Sequence, residues 1–139
     1  MAKSTNLNFT QNIKLAATTI VAADTTTLKT LFTAGANDSV VKSLHAVSDD
    51  SAAKVVNIYV NNGSSDLYIG AVSIPITSGT TGAIAAVDLL SGTLFPNLPY
   101  DANGKRVLPL PAGYIVKVSV QATVTAAKTI SITCMAEDY

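Results

Sequence analysis

Leu110-Pro-Ala-Gly-Tyr-Ile-Val-Lys-Val-Ser-Val-Gln-Ala-Thr-Val124, then Thr-Ala-Ala-Lys-Thr129, then Ile130-Ser-Ile-Thr-Cys-Met-Ala-Glu-Asp-Tyr139 is the stretch whose reading decides the fold class. Tyr114, Val116, Val118, Val120, Ala122 and Val124 recur at a period of two, alternating with the mostly polar Ile115, Lys117, Ser119, Gln121 and Thr123. That spacing predicts a strand with one buried and one wetter face. Ile130, Ile132, Cys134 and Ala136 repeat the pattern in a second strand. Setting Val124 opposite Ile130 closes a short loop and puts both apolar rows on one side, so the two strands are expected to form a hairpin. A slip of one residue would expose one row, which pins the register. The apolar face of such a hairpin needs a second sheet to cover it.

The preceding residues can supply that sheet. Ile13 to Ala22 reads as a first strand and Thr25 to Thr33 as a second, where β-branched residues outweigh the one helical turn that Leu28, Leu31 and Phe32 would fit. Ser39 to Ser48 follows the turn at Ala34-Gly-Ala-Asn-Asp38. Its apolar phase shifts between Val41 and Leu44, which predicts a bulge. Val55 to Val60 and Leu67 to Ile74 form a hairpin around Asn61-Asn-Gly-Ser-Ser-Asp66. Val60 opposite Leu67 sets Tyr59 across from Tyr68 on the outer face. Thr77 to Gly82 reads as a flexible loop and Ala83 to Leu90 as a weak strand. Pro96 and Pro99 keep Ser91 to Pro99 out of a ladder. Asp101-Ala-Asn-Gly104 is a tight turn before Val107 to Pro111. Eight or nine short strands without sustained helical periodicity predict an all-β chain: a two-sheet antiparallel β-sandwich, jelly-roll-like. Its core is expected to contain Ile58, Val60, Leu67, Ile69, Val116, Val118, Val120, Ile130, Ile132 and Cys134. Residues 1–12, polar apart from Leu7 and Phe9, are expected as an extended N-terminal arm, and residues 13–139 as a single sandwich domain.

Composition narrows the function classes. At 139 residues the chain can bury a core without disulfides. Nine basic and nine acidic side chains cancel, which argues against nucleic acid as a partner, because phosphate neutralisation needs clustered cations. Only 13% of residues are charged, a surface better suited to an assembled subunit than to a free monomer. No signal-peptide pattern and no spanning apolar run is read, so synthesis in a cytoplasm and no membrane partner are expected.

Candidate chemistry is sparse. The sole cysteine, Cys134, has the phase of a small core hydrophobe. His45, the sole histidine, has no carboxylates beside it in sequence for a metal site. Ser78-Gly-Thr-Thr-Gly82 lacks the Lys and the following helix of a phosphate loop. Asp101-x-Asn103-Gly104 matches the opening of a calcium loop, but Arg106 and Ala112 stand where an EF-hand needs Gly and Glu. Asp49-Asp50 reads as a solvated loop tip. No catalytic site, metal site or cofactor is expected, and the chain does not read as an enzyme. Tyr59 and Tyr68 admit two readings: a cross-strand pair that stabilises the hairpin or enters a subunit contact, or a platform for a sugar ring in a carbohydrate-binding module. Phe9 on its polar arm packs either on its own domain or on a neighbouring subunit.

Asn6-Leu-Asn-Phe9, Thr26-Thr-Leu-Lys-Thr-Leu-Phe-Thr-Ala-Gly-Ala-Asn37, Val56-Asn-Ile-Tyr-Val-Asn-Asn-Gly63, Leu110-Pro-Ala-Gly-Tyr114 and Val124-Thr-Ala-Ala-Lys-Thr-Ile-Ser-Ile132 together resemble small virion proteins of tailed bacteriophages, of the head decoration (cement) type. The resemblance implies a protein on the capsid exterior that stabilises the head by bridging neighbouring major capsid subunits. It implies the major capsid protein as partner, and self-association as a trimer is expected because shell junctions offer local three-fold axes. Leu7, Phe9, Tyr59 and Tyr68 are then the candidate subunit or capsid contacts. Head fibres, tail parts and baseplate parts of phages use similar sandwiches and form the alternative, beside the carbohydrate-binding module.

Overall fold

The computed structural model describes residues 12–91 and 94–139. Among the described residues nine strands form two antiparallel sheets: β1 (Asn12–Val21), β2 (Lys29–Thr33), β3 (Ser39–Ser48), β4 (Lys54–Asn61), β5 (Asp66–Ile74), β6 (Val87–Asp88), β7 (Leu108–Leu110), β8 (Ile115–Val120) and β9 (Thr129–Asp138). One sheet has the order β1-β9-β3-β6, with β7 also on β3, and the other β2-β8-β4-β5. They pack as a jelly-roll-like sandwich around one apolar cluster. Ile20, Leu44, Ala46, Ile130, Ile132 and Cys134 come from the first sheet; Phe32, Val56, Ile58, Val72, Val116, Val118 and Val120 come from the second.

The expected C-terminal hairpin is absent. β8 pairs with β2 and β4, whereas β9 lies between β1 and β3 in the opposite sheet. The apolar rows of Val116 to Val120 and Ile130 to Cys134 are buried as predicted, but they belong to opposite walls of the sandwich. Alternation fixes which face of a strand is buried without naming its neighbour. Both arrangements satisfy it.

Asp49 and Asp50 hold the crossing in place. The Asp50 carboxylate is fully buried and accepts the Thr125 amide N–H at 2.9 Å and the Thr125 hydroxyl at 2.7 Å. It also accepts the Ala52 N–H at 2.9 Å, and the Lys54 ammonium lies 3.8 Å away. Asp49 accepts the Thr129 N–H at 2.6 Å. The expected solvated tip is therefore a brace, buried at Asp50 and half-buried at Asp49, tying the β3–β4 link to the segment that crosses between sheets. Burial pushes the Asp50 carboxyl up, but the Thr125 and Ala52 hydrogen bonds and the Lys54 charge outweigh it and hold it below the usual carboxylate range.

Of the three bulges, in β2, β3 and β5, the last two shape the surface. In β3 the pairing to β9 steps from Val41–Ala136 to Ser43–Met135, leaving Lys42 as the extra residue and accounting for the phase shift in sequence. In β5 the pairing to β4 steps from Tyr59–Tyr68 to Ile58–Gly70, leaving Ile69 extra. Beyond this second bulge Gly70, Val72 and Ile74 follow one face and Val72 and Ile74 are buried, whereas Ile69, expected in the core, is the bulged residue and only partly buried. A side chain at Gly70 would put its Cβ 2.6 Å from Cε1 of Phe95, so the glycine lets the Phe95 ring close over the sheet edge. Leu67, at the hairpin tip, is 45% exposed rather than in the core. The expected strand over Ala83 to Leu90 is reduced to β6. The Thr77 to Gly82 loop is pinned by Ser48 N–H donating to the Ser78 carbonyl at 2.8 Å.

Candidate functional site

The outer face of the β2-β8-β4-β5 sheet carries the tyrosine pair. The Asn61-to-Asp66 turn sets the register: Asn62 Oδ1 accepts the N–H groups of Ser64 and Ser65, and Asn61 Nδ2 donates to Asp66 at 2.7 Å. Tyr59 and Tyr68 are direct partners, with ring centroids 5.2 Å apart and planes inclined by 53°. Lys117 of β8 stands opposite Tyr59 and pairs with Asp66 at 3.0 Å. On the other side Asn57 Oδ1 accepts from Gln121 Nε2 at 3.0 Å. The tilted rings have the geometry of an aromatic cross-strand pair and do not form one flat platform. Tyr68 remains 56% exposed, so the pair offers contact area beside its packing role.

A second surface was not singled out by residue type. Among the described residues β1 is an edge of its sheet, paired on one side only, to β9. Lys14, Ala16, Thr18 and Ile20 share the inner phase, and only Ile20 is fully buried. Ile13 and Leu15 take the other phase and are 75% and 71% exposed. Leu15 stands opposite Met135 of β9, which is also exposed. Three large apolar side chains thus share the outer face next to an open backbone edge. The signal lay in the odd spacing of Ile13 and Leu15 from the buried Ile20. Leu7 and Phe9, the other expected contact residues, lie outside the described residues.

His45 lies on β3 across from Asp88 of β6. Among the described residues no group of three or more His, Cys, Asp or Glu side chains is placed to hold a metal ion. Burial pushes the Cys134 thiol up to about 12, so it stays protonated as a core group.

No protein-family model matches the sequence, and no curated protein matches it. A chain in a solved structure described as "Cyanophage Pam1 capsid asymmetric unit" superposes over 100% of this chain and 94% of its own length. The identity is 14% and the TM-score 0.46, a level of likeness that carries no argument about family or function.

Proposed function

We propose that the chain is a non-enzymatic structural protein of a bacteriophage virion: a decoration, or cement, protein bound outside the capsid, where it bridges neighbouring major capsid subunits. The observation that carries an assembly role is the β1 edge, with Ile13 and Leu15 exposed beside Met135. Open edges with apolar side chains invite pairing with another chain, and proteins that remain monomeric blunt them with charge, proline or a covering loop. The virion setting is supported by the sequence resemblance. Neither nucleic acid nor a membrane is the partner in this reading.

The chain acts as a homotrimer, since junctions in a shell offer local three-fold axes and closed symmetry leaves no free interface. The arm in this reading is residues 1–11, since Asn12 opens β1; it reaches a neighbouring subunit through Leu7 and Phe9, and three tethered arms reinforce one another through effective concentration. With zero net charge the contact rests on apolar burial and backbone pairing, so moderate salt does not release it.

The test adds purified protein to shells lacking it and compares the full chain with a variant starting at Gln11. The full chain is expected to bind and to raise the heat resistance of the shells, and the shortened one to bind poorly. Equal binding removes the arm from the mechanism. No binding by the full chain moves the assignment to fibre, tail or baseplate.

A further inference from the structure

Five of the eight described Lys and Arg side chains are ion-paired: Lys14 with Asp138, Lys29 with Asp24, Lys42 with Glu137, Lys54 with Asp50 and Lys117 with Asp66. Lys105, Arg106 and Lys128 form no ion pair among the described residues. Two of these three are adjacent and line the same cleft, about 400 Å³ in volume. That is within the size range of small-ligand sites.

The cleft arises from the sheet. β7 pairs with β3 only through Ser39 to Val41, and β6 only through His45 and Ala46, so the β3 edge has a gap in its pairing between them. The bulged Lys42 lies in that gap and lines the cleft with His45. The far wall is a small hairpin in which Tyr100 bridges Arg106 and Asp101 N–H donates to the Lys105 carbonyl at 2.8 Å. The Arg106 guanidinium is held in position. Its Cζ lies 3.8 Å over the Tyr100 ring, and Nη1 donates to the Leu98 carbonyl. Its Nε is buried without a hydrogen-bond partner among the described residues.

Two carboxylates stand at the cleft, Asp88 in its lining and Asp101 in the hairpin wall, and both accept backbone N–H groups. Asp88 accepts the Leu90 N–H at 2.8 Å, and Asp101 accepts the N–H groups of Asn103 and Lys105, each at 2.9 Å. Asp101 also feels the charges of Lys42 and Lys105, but among the described residues neither Lys105 nor Arg106 forms an ion pair with a carboxylate. A stacked, oriented guanidinium beside lysines is an arrangement that takes carboxylate or phosphate oxygens.

We propose that the cleft between β3, β6 and the Tyr100–Arg106 hairpin is an oxyanion-binding site, accepting a carboxylate or phosphate group on Arg106 and Lys105, with Lys42 and His45 on the opposite wall. The site stands independently of the virion reading.

The experiment records amide NMR spectra of the full chain while sodium chloride is exchanged, at constant ionic strength, for sodium phosphate or for N-acetylglutamate. Saturable shifts centred on Lys42, His45 and Gly104 to Arg106 are expected with at least one of them. Stronger binding of phosphate or of acetylglutamate then tells a phosphate-bearing source from an acidic side chain. Lys105→Gln is exposed at the turn and tests the charge without disturbing the fold; it is expected to weaken binding about tenfold, with a larger loss for Arg106→Gln. Lys128→Gln, the unpaired cation not among the cleft residues, is expected to leave binding unchanged. Shifts that fail to saturate with either anion overturn the proposal. So does binding that survives Lys105→Gln and Arg106→Gln undiminished in folded protein, or that Lys128→Gln weakens equally.

Discussion

The Asp50 carboxylate reaches across 75 residues of chain to accept both the amide and the hydroxyl of Thr125. This contact fastens the segment that carries the chain from one sheet to the other. Replacing Asp50 by Ala leaves the Thr125 and Ala52 donors without their acceptor and the largely buried Lys54 without its counter-charge. A loss of about 2–3 kcal/mol is expected, a substantial part of a typical domain's stability. Urea unfolding measures it. A folded Asp50→Ala protein within about 0.5 kcal/mol of the parent would show that the brace contributes nothing.

The same carboxylate gives stability a pH dependence. Its folded pKa lies below the unfolded value, so its stabilising contribution is complete above the unfolded value, about 3.9. That contribution is lost as pH falls through the folded pKa. Asp24 and Asp66 act with the same sign, held low chiefly by the Val21 N–H and by Asn61, and so does Asp101 through the Lys105 N–H. Stability is expected to be level from neutral pH to about 5 and to fall below about 4. Asp50→Asn is expected to make that acid decline shallower. An identical slope in the variant would assign the decline to other groups.

Gly70 and Phe95 form a size-matched pair. An added methyl group at position 70 meets the ring at 2.6 Å, and the ring is itself buried. Gly70→Ala is expected to cost about 1–3 kcal/mol by overpacking, and Phe95→Ala about 3–5 by leaving a cavity. The double variant is expected to be more stable than the sum of the two losses, because the methyl group then occupies vacated space. Strict additivity in a double-mutant cycle would place the two residues out of contact in solution.

The Cys134 thiol, protonated and walled in by the core, is expected to resist alkylation in the folded protein and to react once denatured. Labelling at pH 8 with and without urea reads this directly. Rapid native labelling would mean that β9 leaves its place between β1 and β3.

The fold class was legible because local alternation is strong. Val116, Val118, Val120, Ile130, Ile132 and Cys134 are all buried where their period puts them. The Lys42 bulge was visible as a phase slip between Val41 and Leu44, and the Tyr59–Tyr68 pairing followed from the turn length. Sheet partnership was not legible. The link after Val120 can turn back as a hairpin or cross to the other sheet, and the buried Asp50 that selects crossing is remote in sequence. Leu67 misled because it shares the phase of its buried partner Val60 but lies on the edge strand β5, which is covered by a neighbouring strand on one side only. The cleft had no local motif at all, since Lys42, His45, Asp88 and Arg106 meet only through the topology.

The β1 edge offers the sharpest test of the assembly reading. Ile13 and Leu15 project from an edge strand and are largely solvent-exposed in the isolated chain, so replacing both with Lys removes no core contact. The stability of Ile13→Lys/Leu15→Lys is expected to stay within about 0.5 kcal/mol of the parent. Binding to shells lacking the protein is expected to fall by at least about tenfold, because two charges must then be desolvated where apolar area was buried. Tyr68→Ala in the same assay separates the two faces: a small effect leaves β1 as the contact surface, whereas a large one transfers that role to the tyrosine face. A folded double-lysine variant that binds as tightly as the parent would take β1 out of the interface.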